Sequence, residues 1–219
     1  MKILFCKVSS MKYYKGVCDE DKPINGGKFV DENGYGVEEF NFQPREYVED
    51  DNSVTEYCLG FVETKSTNKE KPNELHFEKI DGCANLKNET SVDDVLVVWC
   101  ATSDLKDSRG RNETTVVGWY KNATVFRNYE SFTVTYEDGS SEERLYNVEA
   151  TVENVVLLPA GARHKFVWAA PQSKLRNYGF GQSLVWYAAE ENAQDYVQKL
   201  VANIETYSAE NWLYEYPKQ

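Results

Sequence analysis

Several features that would assign a function at once are missing from this sequence of 219 residues. No apolar stretch approaches the roughly 18 residues that a membrane span requires, and the start MKILFCKV turns polar at Ser9, too early for a secretory signal. There is no Cys-x-x-Cys pair, and His76 and His164 lie far from the five cysteines, which argues against a zinc site. We therefore expect a cytoplasmic protein with reduced thiols and with neither metal nor cofactor.

Catalytic signatures are missing as well. The chain contains no P-loop, no His-Glu-x-x-His, no HNH pattern and no Gly-x-Ser-x-Gly elbow. The four glycines of residues 25–36 do not fit the Gly-x-Gly-x-x-Gly frame of dinucleotide-binding loops. Cysteine, histidine and serine are present, but no motif places any of them as a nucleophile beside a base. We therefore expect a binding protein without an activity of its own, with a hidden enzyme as the alternative.

Aromatic residues are abundant, with 15 Tyr, 10 Phe and 5 Trp. Such large planar side chains suit interfaces and stacking sites. The formal net charge of −12 works against a general nucleic-acid coat. The charge is uneven, however, because residues 1–98 carry 12 Lys/Arg against 20 Asp/Glu, whereas residues 99–186 carry 10 of each. The middle of the chain can therefore present a locally basic face.

The hydrophobic pattern predicts mostly strands. Residues 95–101 are a continuous apolar run, typical of a strand covered on both faces. The Asp138–Gly139 pair between two alternating segments predicts a hairpin. The other predicted strands are residues 2–8, 57–62, 75–80, 114–120, 124–127, 132–136, 144–152 and 155–158. A loop or short helix is predicted at residues 9–16, loops at residues 25–36, 45–56 and 63–74, and a turn or bulge at residues 121–123.

Residues 190–207 are predicted to form an amphipathic helix, since Val197, Leu200 and Ile204 recur at helical spacing. The aromatic tail of residues 211–219 is expected to pack back onto the body. No repeat or linker divides the chain, so we expect one α+β domain over residues 1–188, with an acidic insertion at about 45–74, and the helix and tail in residues 189–219. The pattern favours a strongly curved mixed sheet or open β-barrel with flanking helices and a cleft between strands.

Three segments carry a resemblance to known proteins. They are ILFCKVSSMKYYKG with NGGKFVDENGYGVEEFNF, VLVVWCATS with TVVGWYKNATVFRNY, and LLPAGARHKF with GFGQSLVWYA. Together they resemble a family of bacterial domains that stand alone or precede nuclease-like domains, and more distantly the PUA-like superfamily with its EVE and YTH domains. The resemblance implies a PUA-like fold that reads modified bases, a role in restriction or defence, and an effector nuclease domain or subunit as partner. The long acidic insertion departs from a minimal EVE domain.

A base flipped out of DNA needs aromatic faces to stack on and polar groups for its edge. The stacking candidates are Tyr13, Tyr14, Trp99, Trp119, Tyr120 and Trp186. The candidates for the base edge are Ser9, Ser10, Asn122 and Gln182, and those for phosphate are Lys121 and Arg127. Each has a structural alternative: an apolar run such as that around Trp99 is typical of a core, and two consecutive strand residues point to opposite faces of the sheet.

The leading hypothesis is a non-catalytic reader that binds a modified base, flipped out of DNA, in an aromatic pocket. One alternative is a binder of a free nucleotide or other small ligand, which the acidic surface favours because such a ligand needs no extended basic groove. Another is a protein-interaction module that uses the Tyr-rich tail of residues 207–216. A salt-dependent affinity for nucleic acid separates the first hypothesis from the other two.

Overall fold

A computed structural model describes residues 1–64, 74–106, 110–135 and 138–218. These residues form an α+β fold around one mixed sheet of eight strands, which does not close into a barrel. The strands are β1 (Ile3–Val8), β2 (Pro44–Val48), β3 (Val54–Gly60), β4 (Ser91–Lys106), β5 (Asn112–Thr135), β6 (Ser141–Thr151), β7 (Val155–Leu157) and β8 (Val185–Trp186). The predicted α+β class and mixed sheet are therefore confirmed.

Helices are few and short. The α-helices are α1 (Lys28–Asn33), α2 (Ser173–Arg176) and α3 (Gln194–Glu205). Single 3-10 turns lie at Val37–Phe40, Phe77–Lys79, Ala84–Leu86, Val152–Asn154, Ala160–Ala162, Phe166–Trp168, Glu191–Ala193 and Trp212–Tyr214. In the described residues no helix is both long and apolar enough to cross a membrane.

The sheet has the strand order β2-β3-β6-β5-β4-β1-β8, and β7 continues beside β5 where β6 ends. Among the strands of the described residues, only β1 and β4 pair in parallel, with Val8 opposite Ala101. Because β5 is antiparallel to β4, with Thr114 opposite Thr102, the ends of β1 and β4 and the beginning of β5 share one end of the sheet. We call this end of the sheet, where β1 ends at Val8, the β1 end. Residues 91–95 and 123–126 lie at the other end.

Two hydrophobic clusters cover the two faces of this sheet. One contains Trp99 and Tyr120, and the other contains Trp119 and the buried side of α3. The predicted helix of residues 190–207 is thus confirmed as α3, which buries Val197 and Leu200 against the sheet. The tail packs back as expected, since Trp212 stacks on Tyr13 with ring centroids 5.4 Å apart.

The sheet is strongly bent around its inner cluster. A Cβ atom built on Gly60 of β3 would lie 2.4 Å from the Trp99 ring of β4. These strands are three places apart in the sheet, a distance of roughly 14 Å in a flat sheet with the usual spacing. Only curvature brings them into contact, and Gly60 has no side chain because the Trp99 ring occupies that space.

Three local predictions were wrong. Residues 45–56, expected to be a loop, belong to the β2–β3 hairpin, in which Arg45 pairs with Tyr57 and the acids at 49–51 form the turn. Residues 75–80, expected to be a strand, contain a 3-10 turn, because their buried side chains Leu75, Phe77 and Ile80 do not alternate. Residues 25–36 contain the six-residue helix α1. Most of the predicted loop at 63–74 lies outside the described residues.

Candidate functional site

A cavity of about 240 Å³ lies at the β1 end, where the chain leaving β3 approaches β1 across the opening of the curved sheet. We call it the edge pocket. Its wall is mainly apolar, with Lys7, Glu38 and Glu63 as the charged members. Lining residues are Lys7, Val8, Gly26, Phe29, Val30, Val37, Glu38, Phe61, Val62, Glu63 and Leu184. Its volume is below the roughly 300–1,000 Å³ typical of pockets for drug-sized ligands, so it suits one small ring system.

The wall formed by Phe61 and Val62 is held by two buried asparagine side chains. Asn41 accepts a hydrogen bond from Phe61 N at 2.8 Å and donates to Phe61 O at 3.0 Å. Asn147 does the same for Val62, with both distances 3.0 Å. Each amide therefore satisfies both backbone groups of a residue that follows the last β3 pairing. The Phe61 ring also stacks on Tyr129 at 5.1 Å, so this wall is rigid.

The opposite side of the edge pocket is a tight backbone contact. A Cβ atom on Gly26 would lie 2.3 Å from Val30 Cγ2 and 2.9 Å from Ser9 Cβ. Only glycine therefore allows this loop to lie against the end of β1. Ser9 lies directly behind Gly26, and its buried hydroxyl has no hydrogen-bond partner among the described residues.

One cation and two carboxylates supply the charge of the edge pocket. Lys7 makes no ion pair or hydrogen bond through its Nζ atom to any described residue, and burial lowers its pKa. Glu38 is fixed, since its Oε1 accepts a hydrogen bond from Ser9 N at 2.9 Å. Gly36 gives that carboxylate room, because a Cβ atom there would be 2.7 Å from Glu38 Oε2. The wall of the pocket thus contains one lysine and one fixed carboxylate acceptor.

Helix α1 covers part of the mouth. It buries only Val30 and carries Phe29, a pocket-lining residue that is 49% exposed. Gly27 and Gly34 flank the helix with φ of +81° and +77°, a backbone conformation that glycine adopts without strain. Phe29 meets Tyr35 edge to face at 5.5 Å. An aromatic side chain therefore lies at the entrance on a helix with glycine at both ends.

The loop after β1 is held from both sides. The buried carboxylate of Asp21 accepts hydrogen bonds from the backbone N–H groups of Lys12, Tyr13 and Tyr14, at 2.5, 2.8 and 3.2 Å. The buried Arg163 guanidinium donates to Met11 O and Lys12 O, each at 2.6 Å. This loop is consequently a fixed part of the β1 end.

Most of the stacking residues proposed from the sequence are core residues in the structure. Trp99 and Tyr120 meet edge to face at 5.4 Å inside the inner cluster, and neither is exposed. Trp119 packs on Trp168 on the opposite face of the sheet, so these rings share no pocket. Trp186 is also in that outer cluster. None of these four side chains lines the edge pocket.

The two tyrosines after β1 are occupied differently. Tyr14 is fully buried against Phe42 and donates its hydroxyl hydrogen to Ser9 O at 2.8 Å. Burial raises the pKa of Tyr14, so it stays a neutral donor. Tyr13 stacks on Trp212 in the tail. Both therefore hold the fold together at the β1 end without lining the edge pocket.

The residues proposed for phosphate, and Asn122, lie towards the other end of the sheet. Lys121 pairs with Glu205 at 2.9 Å, and Arg127 pairs with Glu78 at 2.9 Å while donating to two backbone carbonyls. Asn122 donates to the side chain of Asn154 at 3.1 Å. The structure therefore does not bring these three residues to the edge pocket.

Three sequence candidates do lie near the edge pocket. Ser9 is behind Gly26, Ser10 pairs with Ile24 just before that glycine, and the exposed Gln182 lies two residues before the lining residue Leu184. Sequence reasoning missed the lining residues Lys7, Phe29, Glu38, Phe61 and Glu63. The available signal was the pair of glycine groups, Asn25-Gly26-Gly27 and Gly34-Tyr35-Gly36, which surround α1.

The remaining chemistry of the described chain is sparse. No group of three or more His, Cys, Asp or Glu residues within it could hold a metal ion. Four of the five cysteines are buried, and burial raises the pKa of each of these four thiols. Comparison of the chain with protein-family models, with curated proteins and with solved structures gives no match.

Proposed function

We propose that the protein is a non-catalytic binding module that takes one modified nucleobase, flipped out of DNA, into the edge pocket. The observation that supports this most directly is the composition of that pocket: a small, mainly apolar cavity with two phenylalanines, one lysine and one fixed carboxylate in its wall. A base presents the complementary features, since it is a planar ring with polar groups at its edge.

Lys7 and Glu38 in the wall of the edge pocket favour a base with a particular set of polar groups. Carboxylates accept hydrogen bonds from the exocyclic amine of cytosine, and lysine donates to base carbonyls. Cytosine and guanine each carry both an amine and a carbonyl, whereas adenine has no carbonyl, and the single ring of cytosine suits the small cavity better than the fused rings of guanine. A substituent on C5 of cytosine would then meet apolar side chains such as Val30 or Val62 in the same wall. We therefore propose a 5-substituted cytosine as the preferred base, and a PUA-like reader of restriction or defence systems as the biological class.

The direct test is binding to matched fluorescent DNA duplexes that differ only in one base: cytosine, 5-methylcytosine, 5-hydroxymethylcytosine or N6-methyladenine. We expect tighter binding to one of the modified cytosines. Phe29→Ala should weaken that binding about tenfold, because stacking on an aromatic ring contributes about 1–3 kcal/mol per base. Glu38→Gln should reduce the preference between bases, because it removes the anionic acceptor.

Tyr216→Ala is the matched control, because Tyr216 is 50% exposed and Phe29 is 49% exposed, but Tyr216 lies on the C-terminal tail. It should leave DNA binding unchanged. Equal affinity for all four duplexes would refute the reader proposal. A loss of binding in Tyr216→Ala with none in Phe29→Ala would instead favour the tail as a contact surface.

A free base or nucleoside is the second candidate ligand. The observation that favours it is charge: the edge pocket has two carboxylates against one ammonium, in a chain of net charge −12. Such a surface repels a polyanion but accepts a neutral or cationic small molecule. Calorimetric titration with cytidine and 5-methylcytidine distinguishes the two, since micromolar binding of the free nucleoside without any binding to DNA would establish this second candidate.

A further inference from the structure

A long segment of this acidic chain contains no acid. Residues 154–189 include neither Asp nor Glu, although 36 acids in 219 residues would place about six in a stretch of 36. The same segment carries Arg163, Lys165, Lys174 and Arg176. Arg163 is buried in the loop contacts described above, but the other three are exposed. The chain therefore concentrates positive charge on one part of its surface.

Three of these cations, Arg163, Lys165 and Arg176, line two adjoining cavities at the β1 end. A cavity of about 680 Å³ is lined by Lys165, Arg176 and Phe166 among others, and it shares Thr115 and His164 with a neighbouring cavity of about 250 Å³. The smaller cavity continues the cationic lining to Lys12. We call the two together the basic groove.

The basic groove leads to the edge pocket. Ser10 and Ile24 line its smaller cavity and pair with each other through backbone hydrogen bonds of 2.8 and 3.1 Å. Gly26, only two residues after Ile24, lines the edge pocket. A ligand chain lying in the basic groove would thus lie beside the segment that forms one side of the edge pocket.

Phe166 stands above the groove. It is 86% exposed, the highest value among the large apolar side chains of the described residues, and it borders a further cavity of about 470 Å³ on its other side. Val167 and Leu175 beside it are 45% and 47% exposed. An exposed aromatic ring between cations is the combination with which proteins bind nucleic-acid strands, through phosphate contacts and stacking on bases.

We infer that the basic groove binds the phosphate backbone of the DNA strand whose base enters the edge pocket, and that Phe166 stacks on a neighbouring base; this inference rests on the proposed function. Charge identifies the occupant, since Lys12, Arg111, Lys165 and Arg176 outnumber the acids that line the groove. Of these acids, Glu113 faces His164 at 3.5 Å, Asp21 is engaged with backbone N–H groups, and Glu20 is exposed at the rim.

The test is the salt dependence of binding to two fluorescein-labelled duplexes, one unmodified and one with 5-methylcytosine. The logarithm of affinity falls against the logarithm of salt concentration with a slope of about −0.9 per phosphate contact. The double variant Lys165→Gln/Arg176→Gln should therefore flatten this slope by about 2, equally for both duplexes. Phe166→Ala should weaken binding about tenfold and leave the slope unchanged.

The matched control is Lys79→Gln/Lys87→Gln, which removes the same charge from exposed residues outside the groove. An equal slope change in both double variants would overturn the groove assignment, because net charge alone would then explain it. An unchanged slope in Lys165→Gln/Arg176→Gln would also overturn the groove assignment.

Failure of the proposed function has a different signature. If the wild type binds both duplexes equally but the slope falls only in the groove variant, the groove inference stands and the modified-base proposal is refuted. If the preference for 5-methylcytosine persists while the groove variant behaves like the control, the modified-base proposal stands and the groove inference is refuted. Absence of any DNA binding at low salt would overturn both.

Discussion

Replacing Asn147 by alanine provides a sharp test of how the edge pocket is built. The side chain of Asn147 is fully buried and forms two hydrogen bonds of 3.0 Å, one to the N–H and one to the carbonyl of Val62. Val62 is itself only 1% exposed, so water does not replace these partners without a rearrangement. An unpaired buried polar group costs about 1–3 kcal/mol, and alanine leaves two of them. We expect Asn147→Ala to lower the free energy of unfolding by about 2–6 kcal/mol.

Urea denaturation followed by tryptophan fluorescence measures this loss. Asn88→Ala is the matched control, because Asn88 is exposed and surface substitutions usually change stability by less than about 0.5 kcal/mol. A loss below about 1 kcal/mol for Asn147→Ala would refute the reasoning, since the two backbone groups would then have found other partners.

Asn41 extends the test, because it binds the backbone of Phe61 as Asn147 binds that of Val62. Asn41→Ala removes the equivalent pair of hydrogen bonds from Phe61, which directly precedes Val62 in the chain. Residues that share one segment are expected to couple by about 0.5–3 kcal/mol, so the double variant should lose less than the sum of the single losses. Strict additivity would mean that the two asparagines hold separate structures and that the wall of the edge pocket is not one unit.

Further predictions concern other parts of the molecule. Gly26→Ala should reduce the affinity for the preferred DNA duplex at least tenfold with the fold retained, because the added Cβ atom would lie 2.3 Å from Val30. Titration calorimetry measures this affinity, and Gly161→Ala, at a site in open space, is the control. A thiol reagent should label only Cys18 in the native protein and all five cysteines in urea, because burial of the other four raises their pKa. Burial lowers the pKa of Lys15 to about 8 in the folded protein. Between pH 8 and 10 the unfolded chain therefore keeps a proton on Lys15 that the folded protein has lost, and the free energy of unfolding rises with pH. The stability of the wild type relative to Lys15→Met should therefore increase by roughly 2 kcal/mol from pH 7 to pH 9.5 in urea titrations.

The regular elements were predictable because hydrophobic periodicity is local. The apolar run at 95–101 lies within β4, the helical stripe lies within α3, and the Asp138–Gly139 pair lies between β5 and β6. The β2–β3 hairpin was missed for a physical reason. β2 is an edge strand whose side chains are mostly exposed, so its sequence carries little apolar signal and its acids read as a loop.

The candidate site was much less predictable, because it depends on curvature. Phe61 and Lys7 are 54 positions apart and line one cavity only because the sheet bends until the end of β3 approaches β1. No local pattern encodes that approach. The strand aromatics Trp99 and Trp119 looked like stacking candidates because aromatic content was high, but both fill the faces of the sheet. A bent sheet with two covered faces needs large rings as filling, so their abundance is explained by packing.

Glycine spacing is the sequence feature that distinguishes Phe29, which we propose binds a ligand, from the aromatic residues that pack in the strands of this chain. An aromatic within a strand pattern is anchored by ladder hydrogen bonds and by neighbours on its face, as Tyr120 is, and has no freedom to meet a ligand. Phe29 instead lies on a six-residue helix with glycine at positive φ on both sides and one buried residue as its attachment. Such a segment forms too few buried contacts to be explained by stability. Stability alone therefore does not account for an aromatic side chain at this position, which is why the proposed function assigns Phe29 to the ligand of the edge pocket.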